Sequence, residues 1–241
     1  MSLPAGETEL KAKLFSVVKQ YFADFREPVH FVPYGGPLRT KSSWTTPEEV
    51  RAGKPQPWGY GSRIEDTALH AGHLLGALLA AHEAKPDPFL EESARQMAAA
   101  LRFIYSRSPV PGLVPRGPHP DDESAVYTDS SMDQHTTFII SLARFANSSL
   151  ATAGEKAAIA QALGEVGKRL EANGWGIKRT DGTTQSHVGF PWLGMVHEHV
   201  SILLPALCAL HAGTGDPHWL ELYERFGAEQ DGMRWKLLAP G

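Results

Sequence analysis

Three separated stretches of this chain each bring carboxylate, imidazole and aromatic side chains together. The first runs from Trp58 through Arg63, Glu65, Asp66 and His70 to His73. The second holds Tyr127, Asp129, Ser130, Ser131, Asp133, Gln134 and His135, and the third His187, Trp192, His197, Glu198 and His199. Asp66 and Asp133 lie 67 positions apart, each just ahead of an apolar helical pattern, so a repeated architecture would bring both to one cavity. Two carboxylates in a cleft can divide the acid/base work on a sugar acetal or enol ether. One, held protonated, gives a proton to oxygen or carbon; the other activates water or steadies positive charge. Trp58 and Trp192 offer flat apolar faces to a sugar ring, while Arg63 and Arg116 suit a substrate carboxylate. Taken singly, each aspartate reads as a helix cap. Their coincidence with aromatics and histidines at both junctions favours chemistry.

Other chemistries are less well supported. Asp66, His70 and His73, spaced by four and three, share one helix face and could hold a divalent ion, with His197 and His199 adding ligands. The same spacing suits histidines satisfied within a close-packed helix beside Ala71, Gly72 and Gly76, so metal is the weaker reading and no cofactor is expected. Ser130 and Ser131 lack a nucleophile-elbow pattern. Cys208, inside an apolar run, reads as a buried structural thiol. The Gly35-Gly36 and Gly59/Gly61 pairs are not followed by Lys-Ser/Thr and so do not form a phosphate loop. Asp121-Asp122-Glu123 reads as a solvated turn.

The elements that must position these groups are helical. Leu10, Leu14, Val17, Val18, Tyr21 and Phe22 recur at spacings of three and four. Residues 64–84, 91–105, 132–146, 155–170, 196–211 and 218–226 read the same way, and the lack of apolar/polar alternation predicts few strands. Short breakers at 85–88, 147–154 and 212–217 carry helix-ending Gly and Asn and helix-starting Asp and Pro. The long breakers at 27–62, 106–131 and 173–195 hold four of the six Trp. Loops beyond about 15 residues are functional or disordered, and aromatic content favours order. LLAAHEAKPDPFL (78–90) and LCALHAGTGDPHWL (207–220) place His82 and His211 in equivalent positions 129 residues apart. Each unit reads as inner helix, tight turn, outer helix and long return loop, which stacking would bury. The expected architecture is all-α, one domain over residues 1–241, with about three helical hairpins and long front loops.

Composition sets the bounds. With 241 residues, 42% hydrophobic and 21% charged, the chain can bury one sizeable core. A net charge of −4 gives no sequence-wide footprint for nucleic acid. Cys208, the only cysteine, excludes an intrachain disulfide. Glu7, Glu9, Lys11 and Lys13 interrupt the first twenty residues, and no apolar run approaches about 18 residues. A cytoplasmic protein with no membrane partner is expected.

The junction residues and the hairpin turns together resemble the six-hairpin glycosidases, α/α-toroid proteins that include unsaturated glucuronyl and rhamnogalacturonyl hydrolases. The likeness is one of pattern over residues 58–226, carried by Asp66 in GSRIEDT, by Asp133 in SSMDQHTTFIISLARF, and by the TGDPHWL turn. It implies an incomplete toroid that hydrolyses an acidic or unsaturated sugar. In that reading Asp133 is general acid/base and Asp66 its partner, with His135 and Tyr127 assisting. Trp58, Arg63, Trp192, His197, Glu198 and Arg116 would hold the carbohydrate substrate. Two departures stand out: Gln134-His135 follows the aspartate where the family has hydrophobic or aromatic residues, and three hairpins stand where a ring has six. A shortened ring, a piece of a longer one, or a homo-oligomer completing the cleft would each account for the second. The rival readings are a glycan-binding module that turns nothing over, a toroid polysaccharide lyase using Tyr127, His135 and His197 as bases, and a metal-dependent hydrolase.

Overall fold

The long helices of the computed structural model follow the apolar periodicity, and their ends follow the breakers. The structure describes residues 5–239; the side chains of Leu10 and Leu14, counted in the first apolar stripe, lie outside the described ones. In chain order the elements are α1 (Ala5–Phe25), a 3-10 turn (Leu38–Ser43), α2 (Pro47–Arg51), α3 (Thr67–Ala84) and α4 (Pro88–Ser106). After these come β1 (Pro118–His119), β2 (Asp122–Val126), α5 (Met132–Asn147), α6 (Ala153–Ala172), α7 (His197–Thr214) and α8 (Pro217–Leu238). Helix accounts for 61% of the residues and strand for 6%. The all-α expectation holds at that level, and the two strands form one short antiparallel hairpin.

Helices α3 and α4, α5 and α6, and α7 and α8 pack as hairpins, and α5 lies between α3 and α7. The turns are built alike where the sequence repeats. Asp87 accepts the Phe89 amide ahead of Pro88, and Asp216 accepts the His218 amide ahead of Pro217. An aspartate cap followed by Pro, whose fixed φ suits the first helical residue, starts an outer helix in both copies. The middle hairpin uses another device, the reciprocal Thr152–Glu155 capping box. Helices α4, α6 and α8 begin earlier than the apolar periodicity indicates because caps and prolines, not apolar residues, set their starts. Helix α8 also runs past residue 226, with a non-helical break from Glu229 to Gly232.

Close backbone approach sets the inner row. A Cβ on Gly72 of α3 would lie 2.8 Å from the Thr137 side chain and 3.1 Å from its backbone, so only glycine permits this α3–α5 spacing. Between α3 and α5, Gln134 bonds at the helix starts, while Arg144 reaches Gly76 O and Glu83 further along; the two helices therefore run parallel. Asn147 similarly reaches Ala212 O of α7. Cys208 is exposed, on a cavity of about 460 Å³ between α5 and α7, which corrects its reading as a buried thiol. The acidic turn is partly exposed, as its reading as a solvated turn expects, and it carries surface ion pairs: Asp121 with Lys41, Asp122 with Arg51, and Glu123 with His30 and Arg107. No helix among the described residues is long and apolar enough to cross a membrane.

Candidate functional site

The three long loops meet over the starts of α3 and α5. Arg116, fully buried on the loop after α4, is the hub. Its Nη1 lies 3.6 Å from Asp66 Oδ1 and 3.4 Å from Glu65 O, and its Nη2 lies 3.4 Å from both Asp129 Oδ1 and Ser130 O. Asp129 is fully buried as well; its second oxygen accepts Arg179 Nε at 2.9 Å and the His187 amide at 3.1 Å. A carboxylate enclosed by two guanidinium groups and a backbone N–H has the partners that burial of charge requires. The Tyr60 ring lies over the Arg116 guanidinium at 5.3 Å, Trp58 stacks on His187 at 4.0 Å, and Tyr60 meets His187 edge-on at 5.7 Å.

The backbone of the Arg116 segment is fixed against α3. Arg116 O accepts Thr67 Oγ1 at 2.6 Å and the Ala68 amide at 3.3 Å. A Cβ on the next residue, Gly117, would sit 1.9 Å from Thr67 Oγ1. Arg116 is therefore a buried organiser, with no open fork for a substrate carboxylate, and its expected binding role is corrected.

Asp66 occupies the N-cap position of α3 but caps nothing: its side chain makes no capping hydrogen bond. Its Oδ1 instead accepts Gln134 Nε2 at 2.9 Å, and about a third of the side chain is exposed. Burial raises its pKa above the ordinary carboxylate value; Arg116 opposes that shift, and the nearby Asp133 and Glu65 charges reinforce it. Asp133, in the first turn of α5, accepts the Ser131 hydroxyl and the Gln134 amide on one oxygen. The two aspartates thus stand at adjacent helix starts, joined through Gln134. Below them, between α3 and α5, a cavity of 290 Å³ is lined by His73, Gly76, Thr136, Thr137, Ile140 and Arg144, among others.

Several expected site residues have other duties. His135 is fully buried: its Nε2 accepts the Val114 amide at 3.2 Å, so the proton sits on Nδ1, which donates to Ser131 O at 2.9 Å. Burial pushes its pKa down to about 4, and a neutral, doubly bonded imidazole cannot assist at the cleft. The Tyr127 ring is buried against Gly59, and its hydroxyl donates to Lys54 O at 2.6 Å, pinning the first long loop. Trp192 is fully buried with its indole N–H unpartnered, so no face is free for a sugar. Arg63 is exposed at a positive φ of 77°. His197 and Glu198 are exposed at the start of α7. His199 accepts the Gly194 amide and stacks on Phe190. Among the described residues no three His, Cys, Asp or Glu side chains, Asp66, His70 and His73 included, are placed to hold an ion. The groups in direct contact with the Asp66 carboxyl are the Arg116 guanidinium and the Gln134 side-chain NH₂. His70 is half-buried, held below its ordinary pKa by burial.

The structure brings Trp58 together with Tyr60 and His187, and Asp129, Arg179 and Gln134 lie in the same network of loops and helix starts. Gln134 carried a readable signal, since it sits in register with the core stripe of Phe138, Leu142 and Phe145. The Asp129–Arg179 pair, fifty residues apart, carried none. No protein-family model matches the chain, and comparison with curated proteins and with solved structures likewise gives no match.

Proposed function

We propose that this chain is a carbohydrate-active protein of the α/α-toroid kind, hydrolysing an acidic or unsaturated sugar at the paired aspartates. The observation that carries this reading is the pair itself: Asp66, relieved of capping and raised in pKa, beside Asp133 at the next helix start. The roles are the reverse of those implied by the family resemblance. Asp66 is the proton donor, because its environment favours the acid; Asp133 is the base or charge-stabilising partner. Trp58 and His187 supply a stacked aromatic surface for a sugar ring, and Arg179, partly exposed, is the cation available to a uronate carboxylate.

The lyase alternative loses support, since Tyr127 and His135 are both buried and engaged. A binding module is the second reading, favoured by the groove below the aspartates, whose lining of His73, Thr136, Thr137, Ser141 and Arg144, among others, holds no carboxylate. A panel of uronate-containing and unsaturated oligosaccharides separates the two. Turnover by the native protein, lost in Asp66→Asn and Asp133→Asn while circular dichroism is unchanged, supports hydrolysis. Binding that survives Asp66→Ala and Asp133→Ala without turnover supports the module, and neither turnover nor binding removes both.

A further inference from the structure

We propose that Gln134 is the positioning residue of this site: it caps α3 in place of Asp66 and so releases the Asp66 carboxyl to the cleft. A helix start leaves its first amides without partners, and an aspartate at the N-cap ordinarily accepts one of them. Here the third helical residue, Leu69, donates its amide to Gln134 Oε1 at 2.9 Å, from the neighbouring helix. The other end of the same amide group donates from Nε2 to Asp66 Oδ1 at 2.9 Å and lies 3.3 Å from Glu65 O.

The chemistry fixes the orientation of the amide. Reversal would set an NH₂ group against the Leu69 N–H and a carbonyl oxygen against the Asp66 carboxylate, both repulsive. Gln134 is fully buried, so water does not readily replace either bond. Glutamine is the side chain that suits the position, offering an acceptor to one helix start and a donor to a carboxylate with no charge of its own. A glutamate would bring a second buried negative charge to Asp66, and a methionine would leave the Leu69 amide unpartnered.

The catalytic significance of this arrangement rests on Asp66 being the proton donor, but the arrangement itself is testable without any substrate. NMR of the full chain, with ¹³C-labelled aspartate and ¹⁵N-labelled glutamine, reads both ends of the bridge. In the native protein the Gln134 side-chain NH₂ resonances should move with the midpoint of the Asp66 carboxyl titration, and that movement should vanish in Asp66→Asn. In Gln134→Met the Asp66 midpoint should rise by about half a pH unit or more, because a hydrogen bond favouring the ionised form is gone. In Gln134→Glu, which keeps the shape and can still cap α3, it should rise further as two carboxyls share a proton. Loss of Leu69 amide protection from exchange in Gln134→Met alone completes the pattern. A purely structural glutamine would lower stability and leave the Asp66 midpoint in place. Gln134 resonances that ignore the Asp66 titration in the native protein would overturn the proposal even if a variant failed to fold, and turnover assays bear only on the hydrolase reading.

Discussion

Burial favours the neutral form of a titratable side chain, and so moves an acid and a base in opposite directions. Asp66 is raised in pKa by burial, whereas the pKa of His135 is lowered by the same cause. For His135 the sign runs against acid. The unfolded imidazole binds a proton near pH 6.5 and the folded one near 4, so stability declines as pH falls through that window and stops declining below it. Across the whole window the loss amounts to roughly 3 kcal/mol. The His135 ring resonances should titrate near pH 4, with a midpoint near 6.5 contradicting its burial. For Asp66, stability associated with its raised pKa is present below the unfolded value and lost as pH rises through the folded one. Asp66→Asn should therefore leave the urea midpoint at pH 7 unchanged or raised; a lower midpoint would show that the carboxylate stabilises the fold. These distinctions were not legible in the sequence. Tyr127, Trp192 and His135 are the right residue types in the right stretches, and burial alone separates them from Asp66 and Trp58.

Elements were more legible than residues, because helix starts and stops are written locally. The Asp-Pro turns before α4 and α8 and the Thr152–Glu155 box could be read from short motifs. What local reading missed is cooperation between helices. Asp66 has an N-cap sequence, yet the cap comes from Gln134 on α5. That exchange depends on the short α3–α5 distance that Gly72 allows. Gly72→Ala should press a methyl group into Thr137 and cost about 1–3 kcal/mol. Because the displaced contact lies two turns below Asp66, Leu69 amide exchange should accelerate in this variant. Unchanged exchange with normal stability would show that the two helices are not held by this contact.

On the scale of the molecule, the three hairpins supply a row of parallel inner helices, and the three long loops close over one end of it. The sequence located Trp and Gly in those loops but not the link between them, since Arg116, Asp129 and Arg179 come from distant segments and only folding brings them together. Breaking a buried ion pair strands a charge and costs about 3–5 kcal/mol. Asp129→Asn should lose that much stability and make residues 54–62 and 178–187 sensitive to protease together, whereas cleavage in one loop alone would contradict a shared anchor. The role proposed for Asp66 is that of proton donor to an acidic or unsaturated sugar bound at this end of the molecule. Its most direct test is the pH dependence of kcat/KM on a substrate that the native protein turns over. The expected profile declines as pH rises through a midpoint above the ordinary carboxylate range, with no turnover by Asp66→Asn; turnover retained in Asp66→Asn would contradict the claim.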